Sequence, residues 1–219
     1  MQAGKLSPTQ VEVLVALAGI APPWRLSGGG ALAGFYTQHR ETRDLDLFWR
    51  TSDLEAVHGD VSRRLASAGF TAEVLQSSPA FRRVRAARGA DVVVVDLVAD
   101  PVATVADPGD QQLGTVRIVV DAPHEILVNK LCALLSRSEL RDLEDVRALL
   151  GAGLDLSQAL GDAPKKDAGF SPLTLAWVLR ELPIDALGRA VGRAPSECEP
   201  LRRFRDDLVR DVLALAKPG

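Results

Sequence analysis

Apolar positions recur at helical spacing from Thr9 to Ile20, where Val11, Leu14, Val15 and Ala18 form one stripe. Pro22-Pro23 ends that element, because the residue before a proline is pushed out of the helical region. Trp24-Arg25-Leu26 reads as a short strand running into Ser27-Gly28-Gly29-Gly30, and helical periodicity resumes from Ala31 to His39. Asp44-Leu45-Asp46-Leu47-Phe48-Trp49 opens with polar–apolar alternation, the mark of a half-buried strand. Asp53 is placed to cap a helix reaching about Ala68, with Gly69 as its stop. Three more strands are expected at Thr71–Leu75, Phe81–Ala87 and Val92–Val98, the last carrying the strongest strand signal, and Val116–Val120 reads as a further edge.

The pattern changes after Pro123. Helical stripes run over His124–Leu135, Leu140–Leu150, Leu173–Leu182 and Glu197–Ala216, while Gly161–Gly169 has the composition of a loop. The expected organisation is an α+β (α/β) unit over residues 1–121 followed by a helical region over 122–219.

Composition narrows the function classes. The 219 residues are 47% hydrophobic and 25% charged, which suits a globular chain with a sizeable core. No run of uncharged apolar residues is long enough to span a membrane. Met1-Gln2-Ala3-Gly4-Lys5 does not open a secretory signal, since Glu12 interrupts the first apolar stretch, so a cytoplasmic location is expected. Cys132 and Cys198 are too few and too distant for a disulfide framework or a zinc site, and His39, His58 and His124 show no ligand spacing. Any metal is therefore a hard ion bound by oxygen. A net charge of −3 excludes binding of nucleic acid by bulk charge. Arginines still cluster at Arg82, Arg83, Arg85 and Arg88 and at Arg202, Arg203 and Arg205, either as solvated faces or as local phosphate patches.

The chemistry concentrates between Ser27 and Phe48. A Gly-Gly turn before a helix exposes backbone N–H groups that favour phosphate. The chain then returns as a strand whose alternation puts Asp44 and Asp46 on one face. Paired carboxylates repel unless a cation lies between them, and magnesium, with manganese as a substitute, suits oxygen ligands and phosphates. Asp96 interrupts the apolar Val92–Val98 strand, where a buried charge needs a metal, a backbone N–H or an arginine. Three such groups on neighbouring strands would hold two ions, one activating a hydroxyl and one binding a triphosphate. Each feature alone is a plain turn or an exposed strand edge; their order and spacing are what point to a site.

This order of parts resembles the nucleotidyltransferase superfamily that includes DNA polymerase β. More narrowly, Leu26-Ser27-Gly28-Gly29-Gly30-Ala31-Leu32-Ala33, His39-Arg40-Glu41-Thr42-Arg43-Asp44-Leu45-Asp46-Leu47-Phe48, Val95-Asp96-Leu97, Lys130-Leu131-Cys132-Ala133-Leu134 with Arg137, and Arg141-Asp142-Leu143-Glu144-Asp145-Val146 look like the AbiEii/AbiGii toxin family. The blocks span about residues 26–150, and nothing after Leu150 resembles a known motif. The resemblance implies a polymerase-β-like core with a small mixed sheet and a C-terminal helical appendage. It also implies transfer of an NMP from an NTP to a hydroxyl, a transfer RNA acceptor, and a separately encoded antitoxin. By position it makes Asp44, Asp46 and Asp96 metal ligands and places Gly28 and Gly29 against the triphosphate that Lys130 neutralises. Gly30 departs from the pattern, standing where a threonine or serine hydroxyl is common; Ser27 keeps a hydroxyl close by.

Lys130 and Arg137 are two turns apart on one helix face, and Asp142 and Asp145 share a face of the next helix. They read either as a surface ladder with Arg141 and Arg147 or as part of a nucleotide site, with the carboxylates positioning Lys130 or an arginine or contacting the nucleotide. Arg40 and Arg43 are expected to balance the acidic strand, with substrate contact as the alternative, and His39 is expected to cap the preceding helix. The expected activity is thus a magnesium-dependent nucleotidyltransferase toxin acting on tRNA or another RNA. The rivals are a transferase of the same fold acting on a small molecule or a protein, and a silent binding module. Only ten aromatic residues (six Phe, three Trp, one Tyr) argue against a stacking pocket for a small acceptor.

Overall fold

A computed structural model describes residues 4–137 and 139–216; the beginning of the N-terminal stretch read above, residues 1–3, lies outside them. The chain divides into two compact units, the first ending at Ala122 and the second beginning at Pro123.

In the first unit, helices α1 (Pro8–Leu17), α2 (Gly28–Phe35) and α3 (Glu55–Ser67) pack on a mixed seven-stranded sheet. Its strands are β1 (Trp24–Ser27), β2 (Asp44–Trp49), β3 (Thr71–Ser77), β4 (Phe81–Arg88), β5 (Asp91–Ala99), β6 (Gly109–Leu113) and β7 (Val116–Val120), in the order β3-β4-β5-β2-β1-β7-β6. The pairs β1/β7 and β2/β5 are parallel; the others are antiparallel. β2 follows its alternating sequence: Leu45, Leu47 and Trp49 are fully buried, while Asp44, Asp46 and Phe48 share the other, half-buried face. The apolar face continues through Leu26, Val84, Ala86, Val93, Val95 and Leu97, and α1 and α3 add Val13, Leu14, Leu17, Val57, Val61 and Leu65 to the same core.

Four expectations for this unit are corrected. The helix expected from Ala31 begins at Gly28, so the glycines form its first turn, and it stops at Phe35. The C-terminal cap of that helix is Tyr36, and His39, beyond it, bonds the Thr37 hydroxyl through Nδ1 at 2.7 Å. Val116–Val120 is not an edge: it pairs with β1 on one side and β6 on the other. The edge is β6, whose polar sequence Gly-Asp-Gln-Gln-Leu carries no alternation to detect. At α3, the capping position belongs to Leu54, and Asp53 contributes by accepting a hydrogen bond from the Glu55 N–H at 3.1 Å.

The second unit consists of helices α4 (Pro123–Ser136), α5 (Leu140–Gly151), α6 (Leu156–Lys166), α7 (Pro172–Glu181), α8 (Ile184–Ala190) and α9 (Pro195–Leu215). The region expected to be a loop from Gly161 is largely the C-terminal half of α6. That helix starts where the Asp155 carboxylate accepts from the Gln158 N–H, and it tolerates Gly161 and Pro164 because Ala159, Leu160 and Ala163 are buried. A buried Lys166–Glu125 ion pair of 2.9 Å ties α6 to α4. Among the described residues, no helix is long and apolar enough to cross a membrane.

One ionic tie anchors the centre of the sheet. Arg25 on β1 is buried and spans Asp100 at 2.9 Å and Asp121 at 2.7 Å, and Asp121 is 0% exposed. Removing one member of a buried pair strands the other charge. Arg25→Met is therefore expected to lower unfolding stability by about 3–5 kcal/mol, checked by urea denaturation at pH 7.

Candidate active site

Strand register builds the site as a row across the sheet. Asp46 on β2 lies opposite Ser27 on β1 and, on its other side, opposite Asp96 on β5. Asp96 in turn faces Arg83 on β4, and Arg83 faces Gln76 on β3. Partners across a ladder point to the same face, so Ser27, Asp46, Asp96, Arg83 and Gln76 share one side of the sheet. Asp44 stands two residues from Asp46 and on the same side.

The start of α2 closes on this row. Gly28 has φ +54°, and a Cβ there would stand 2.4 Å from Asp46 Oδ2. Only glycine lets the backbone turn this way and press so near the carboxylate. A Cβ on Gly29 would meet the Thr42 hydroxyl at 2.8 Å and an Arg40 guanidinium nitrogen at 3.1 Å. On Gly30 it would press on Leu26 and Leu45 at 3.0 and 3.3 Å. The position after the Gly-Gly pair therefore faces the core, so a hydroxyl there would meet apolar side chains in this chain. Ser27 is buried at the capping position, without a side-chain capping hydrogen bond to the helix.

Thr42 was not singled out by sequence reasoning, yet it sets Asp44. Its hydroxyl donates to Asp44 Oδ1 at 3.0 Å, and its carbonyl accepts from the buried Gln10 side-chain amide at 3.0 Å. Gln10 is itself fixed by a reciprocal capping box with Ser7. The residue pair carries no recognisable sequence signal, since a lone threonine before a strand is common.

Arg83 is the one member of its arginine cluster that reaches the carboxylates. Its Nε donates to Asp96 Oδ1 at 2.8 Å and its Nη2 to Asp96 Oδ2 at 2.6 Å. Its proton affinity is raised, chiefly by that hydrogen bond; burial opposes the shift, and the charges of Asp96, Asp44 and Asp46 add to it. The other three turn elsewhere: Arg82 to Ser77, Arg85 to Glu73 and Arg88 to Glu12. Arg202, Arg203 and Arg205 are likewise engaged by Asp185, Glu199 and Asp206 within the helical unit, so that cluster is an ion-pair network.

The oxygen donors Asp44 and Asp46, beside backbone N–H groups at a helix start, are chemically suited to a hard divalent cation and phosphate. Asp96 fits that set less well, because both its oxygens already accept guanidinium protons. Among the described residues no group of three or more His, Cys, Asp or Glu side chains is arranged to hold a metal ion.

In the helical unit, Asp142 and Asp145 are buried and so are not members of a surface ladder. Lys130 Nζ stands 2.8 Å from a carboxylate oxygen of each, and Arg137 grips Asp142 through Nε at 2.7 Å and Nη2 at 3.0 Å. Arg141 pairs with Glu139. Burial by itself would lower the Lys130 pKa, but Asp145 and Asp142 outweigh it and raise the value. Burial would raise the Asp142 pKa, and the hydrogen bond from Arg137 with the charge of Lys130 outweighs it and lowers the value.

A carboxylate with a depressed folded-state pKa contributes stability above its unfolded pKa, near 4, and loses it as pH falls through the folded value. Asp142→Asn is therefore expected to flatten the fall in stability on acidification below about pH 4, read from denaturation midpoints across pH. Lys130→Met, which removes the cation shared by two buried carboxylates, is expected to cost about 3–5 kcal/mol in the same assay.

Residues 12–190 match the family described as the nucleotidyl transferase AbiEii toxin of type IV toxin–antitoxin systems. No curated protein matches the chain in sequence. Among solved structures, the nucleotidyltransferase toxin MenT4 of Mycobacterium tuberculosis aligns with a TM-score of 0.60 at 19% identity, covering 95% of this chain and 85% of that one. JHP933 of Helicobacter pylori aligns at 0.54 and 17%, covering 93% and 90%. An antigenic nucleotidyltransferase-like protein of Paracoccidioides brasiliensis aligns at 0.51 and 17%, covering 87% and 97%. At such identities the structural likeness establishes a nucleotidyltransferase fold, and the family match over most of the chain goes further. The chain belongs to the AbiEii family of nucleotidyltransferase toxins.

Proposed function

We propose that the first unit transfers an NMP from an NTP to a hydroxyl of an RNA acceptor, with tRNA as the expected substrate, and that Asp44 and Asp46 hold the divalent cation the reaction uses. The observation that carries this reading is the contact between Gly28 and Asp46: the glycine turn that starts α2 is seated directly against a carboxylate of the acidic strand. Magnesium, or manganese in its place, would supply charge neutralisation of the phosphates there.

The chain's own residues do the rest. Gly28, Gly29 and Gly30 present N–H groups at the start of α2 to phosphate oxygens, with the Ser27 side chain beside them. Thr42, fixed by Gln10, holds the Asp44 carboxylate in one orientation. In the reaction the acceptor oxygen bonds to the α-phosphorus, the bond to the departing pyrophosphate breaks, and the hydroxyl proton is released. The donors fixed around the phosphates favour this by stabilising charge on the phosphoryl oxygens. In the helical unit, Lys130, kept charged by Asp142 and Asp145, and Arg137 are the proposed nucleotide contacts of that unit.

Family membership supports the toxin assignment and an antitoxin partner, and it is consistent with action in the cytoplasm, where NTP and RNA meet. Transfer from NTPs labelled at the α-phosphorus to total RNA, with magnesium, tests the proposal. Label is expected in a tRNA-sized band, and Asp46→Asn is expected to reduce it by at least about 100-fold. Label that survives in Asp46→Asn would sink the site assignment; label absent from RNA but present on a small molecule or protein would redirect the acceptor.

A further inference from the structure

A second polar cavity adjoins the acidic strand. It encloses about 490 Å3 and is lined by Lys5, Gln10, Glu41, Thr42, Arg43 and Val92 among others. Val92 stands two residues before Val94, the partner of Asp44 across the β2/β5 ladder, and side chains two apart on a strand share a face. The cavity therefore opens on the side of the sheet that carries Asp44, Asp46 and Asp96. Thr42 joins it to the site: it lines the cavity, its hydroxyl donates to Asp44 Oδ1 at 3.0 Å, and a Cβ on Gly29 of the glycine turn would meet that hydroxyl at 2.8 Å.

The cations of the cavity differ from those of β4. Arg83, Arg85 and Arg88 each give up a carboxylate partner before they can meet a phosphate. Arg43 is exposed and forms no hydrogen bond or ion pair among the described residues. Lys5 is exposed too, with its Nζ 3.5 Å from the His39 carbonyl oxygen and no carboxylate partner among the described residues. Against these two positive charges the lining sets the single carboxylate of Glu41, so the cavity favours an anionic group. Its volume lies in the range of about 300–1,000 Å3 common for small-ligand sites.

Resting on the nucleotidyltransferase reading above, we propose that this cavity seats the RNA acceptor: the nucleotide bearing the attacking hydroxyl enters here, with its phosphate held by Lys5 and Arg43. In-line displacement places the attacking oxygen opposite the departing pyrophosphate. The pyrophosphate end belongs at the glycine turn, where Gly28 meets Asp46. Asp44 lies about 7 Å further along β2, at about 3.3 Å per residue, and the cavity continues past it. An acceptor lodged there reaches the α-phosphorus from the far side. Thr42, which fixes the Asp44 carboxylate, is then also a wall of the acceptor site.

The test combines two measurements with unfractionated tRNA as the probe: transfer kinetics with each substrate varied in turn, and anisotropy of fluorescently labelled tRNA without NTP. Arg43→Gln and Lys5→Gln are each expected to raise KM for tRNA about tenfold, to leave KM for NTP within about twofold, and to flatten the slope of log affinity against log salt by about one. Val92→Glu, which sets a carboxylate on an exposed wall of the cavity, is expected to weaken tRNA binding in the same way. Arg63→Gln, an exposed arginine of α3 outside the cavity, is expected to match wild type. Circular dichroism confirms that each variant is folded. A raised KM for NTP would give the cavity to the donor nucleotide and overturn the inference. Cavity variants that match wild type in KM and salt slope, or an equal loss in Arg63→Gln, overturn it as well, and all three results leave the transferase reading in place. Wild-type protein that labels no RNA overturns the RNA reading and the inference with it.

Discussion

Asp46 and Asp96 face each other across the parallel β2/β5 ladder, and the arrangement of the first unit answers to that juxtaposition. Neighbouring strands lie about 5 Å apart, and two like charges at that spacing repel by about 3 kcal/mol at an effective dielectric constant of about 20. A fold that keeps such a pair must supply positive charge from both sides. Arg83 provides it at Asp96 through a bidentate pair. At Asp46 the neighbouring group is the start of α2, whose dipole and N–H groups favour negative charge and whose Gly28 allows close approach. The same features that relieve the repulsion make an anion- and cation-binding surface.

Below that polar row, the sheet's apolar face does the work of holding register. A one-residue slip of β2 would turn Leu45, Leu47 and Trp49 outward and bury Asp44 and Asp46, so the hydrophobic pattern and the chemistry are locked together. Arg25, pinned between Asp100 and Asp121, reinforces β1 beside β2. The helical unit uses the same device in its own interior, where Lys130 and Arg137 neutralise Asp142 and its neighbour Lys130 also meets Asp145. Those four residues are consequently stability determinants of their unit as well as candidate nucleotide contacts, and any activity measured on their variants has to be read beside a folding measurement.

Much of this is legible in the amino-acid sequence. Alternation in Asp44–Trp49 fixed which side chains share a face, and the run Val92–Val98 marked Asp96 as a buried charge in need of a partner. The partner itself was within reach of the sequence. Arg88 pairs with Asp91 around the two-residue turn Gly89-Ala90, and counting outward from that hairpin brings Arg83 opposite Asp96. Other parts were hidden for physical reasons. β6 is a polar edge strand defined by its pairing with β7, and α6 contains Gly161 and Pro164, which local propensity reads as breakers. Thr42 and Gln10 act through a tertiary hydrogen bond between positions 32 residues apart, which no local pattern encodes.

The account's central claim is that Asp44 and Asp46, faced by the glycine turn of α2, form the cation and phosphate site. A crystal structure with Mn2+ and a non-hydrolysable NTP, using the anomalous signal of manganese, tests it most directly. The account predicts an anomalous peak bonded to oxygens of Asp44 and Asp46, with phosphate density against the N–H groups of Gly28 to Gly30 and the Arg83–Asp96 pair intact. Manganese bound away from both aspartates, or phosphates seated elsewhere on the chain, would contradict it.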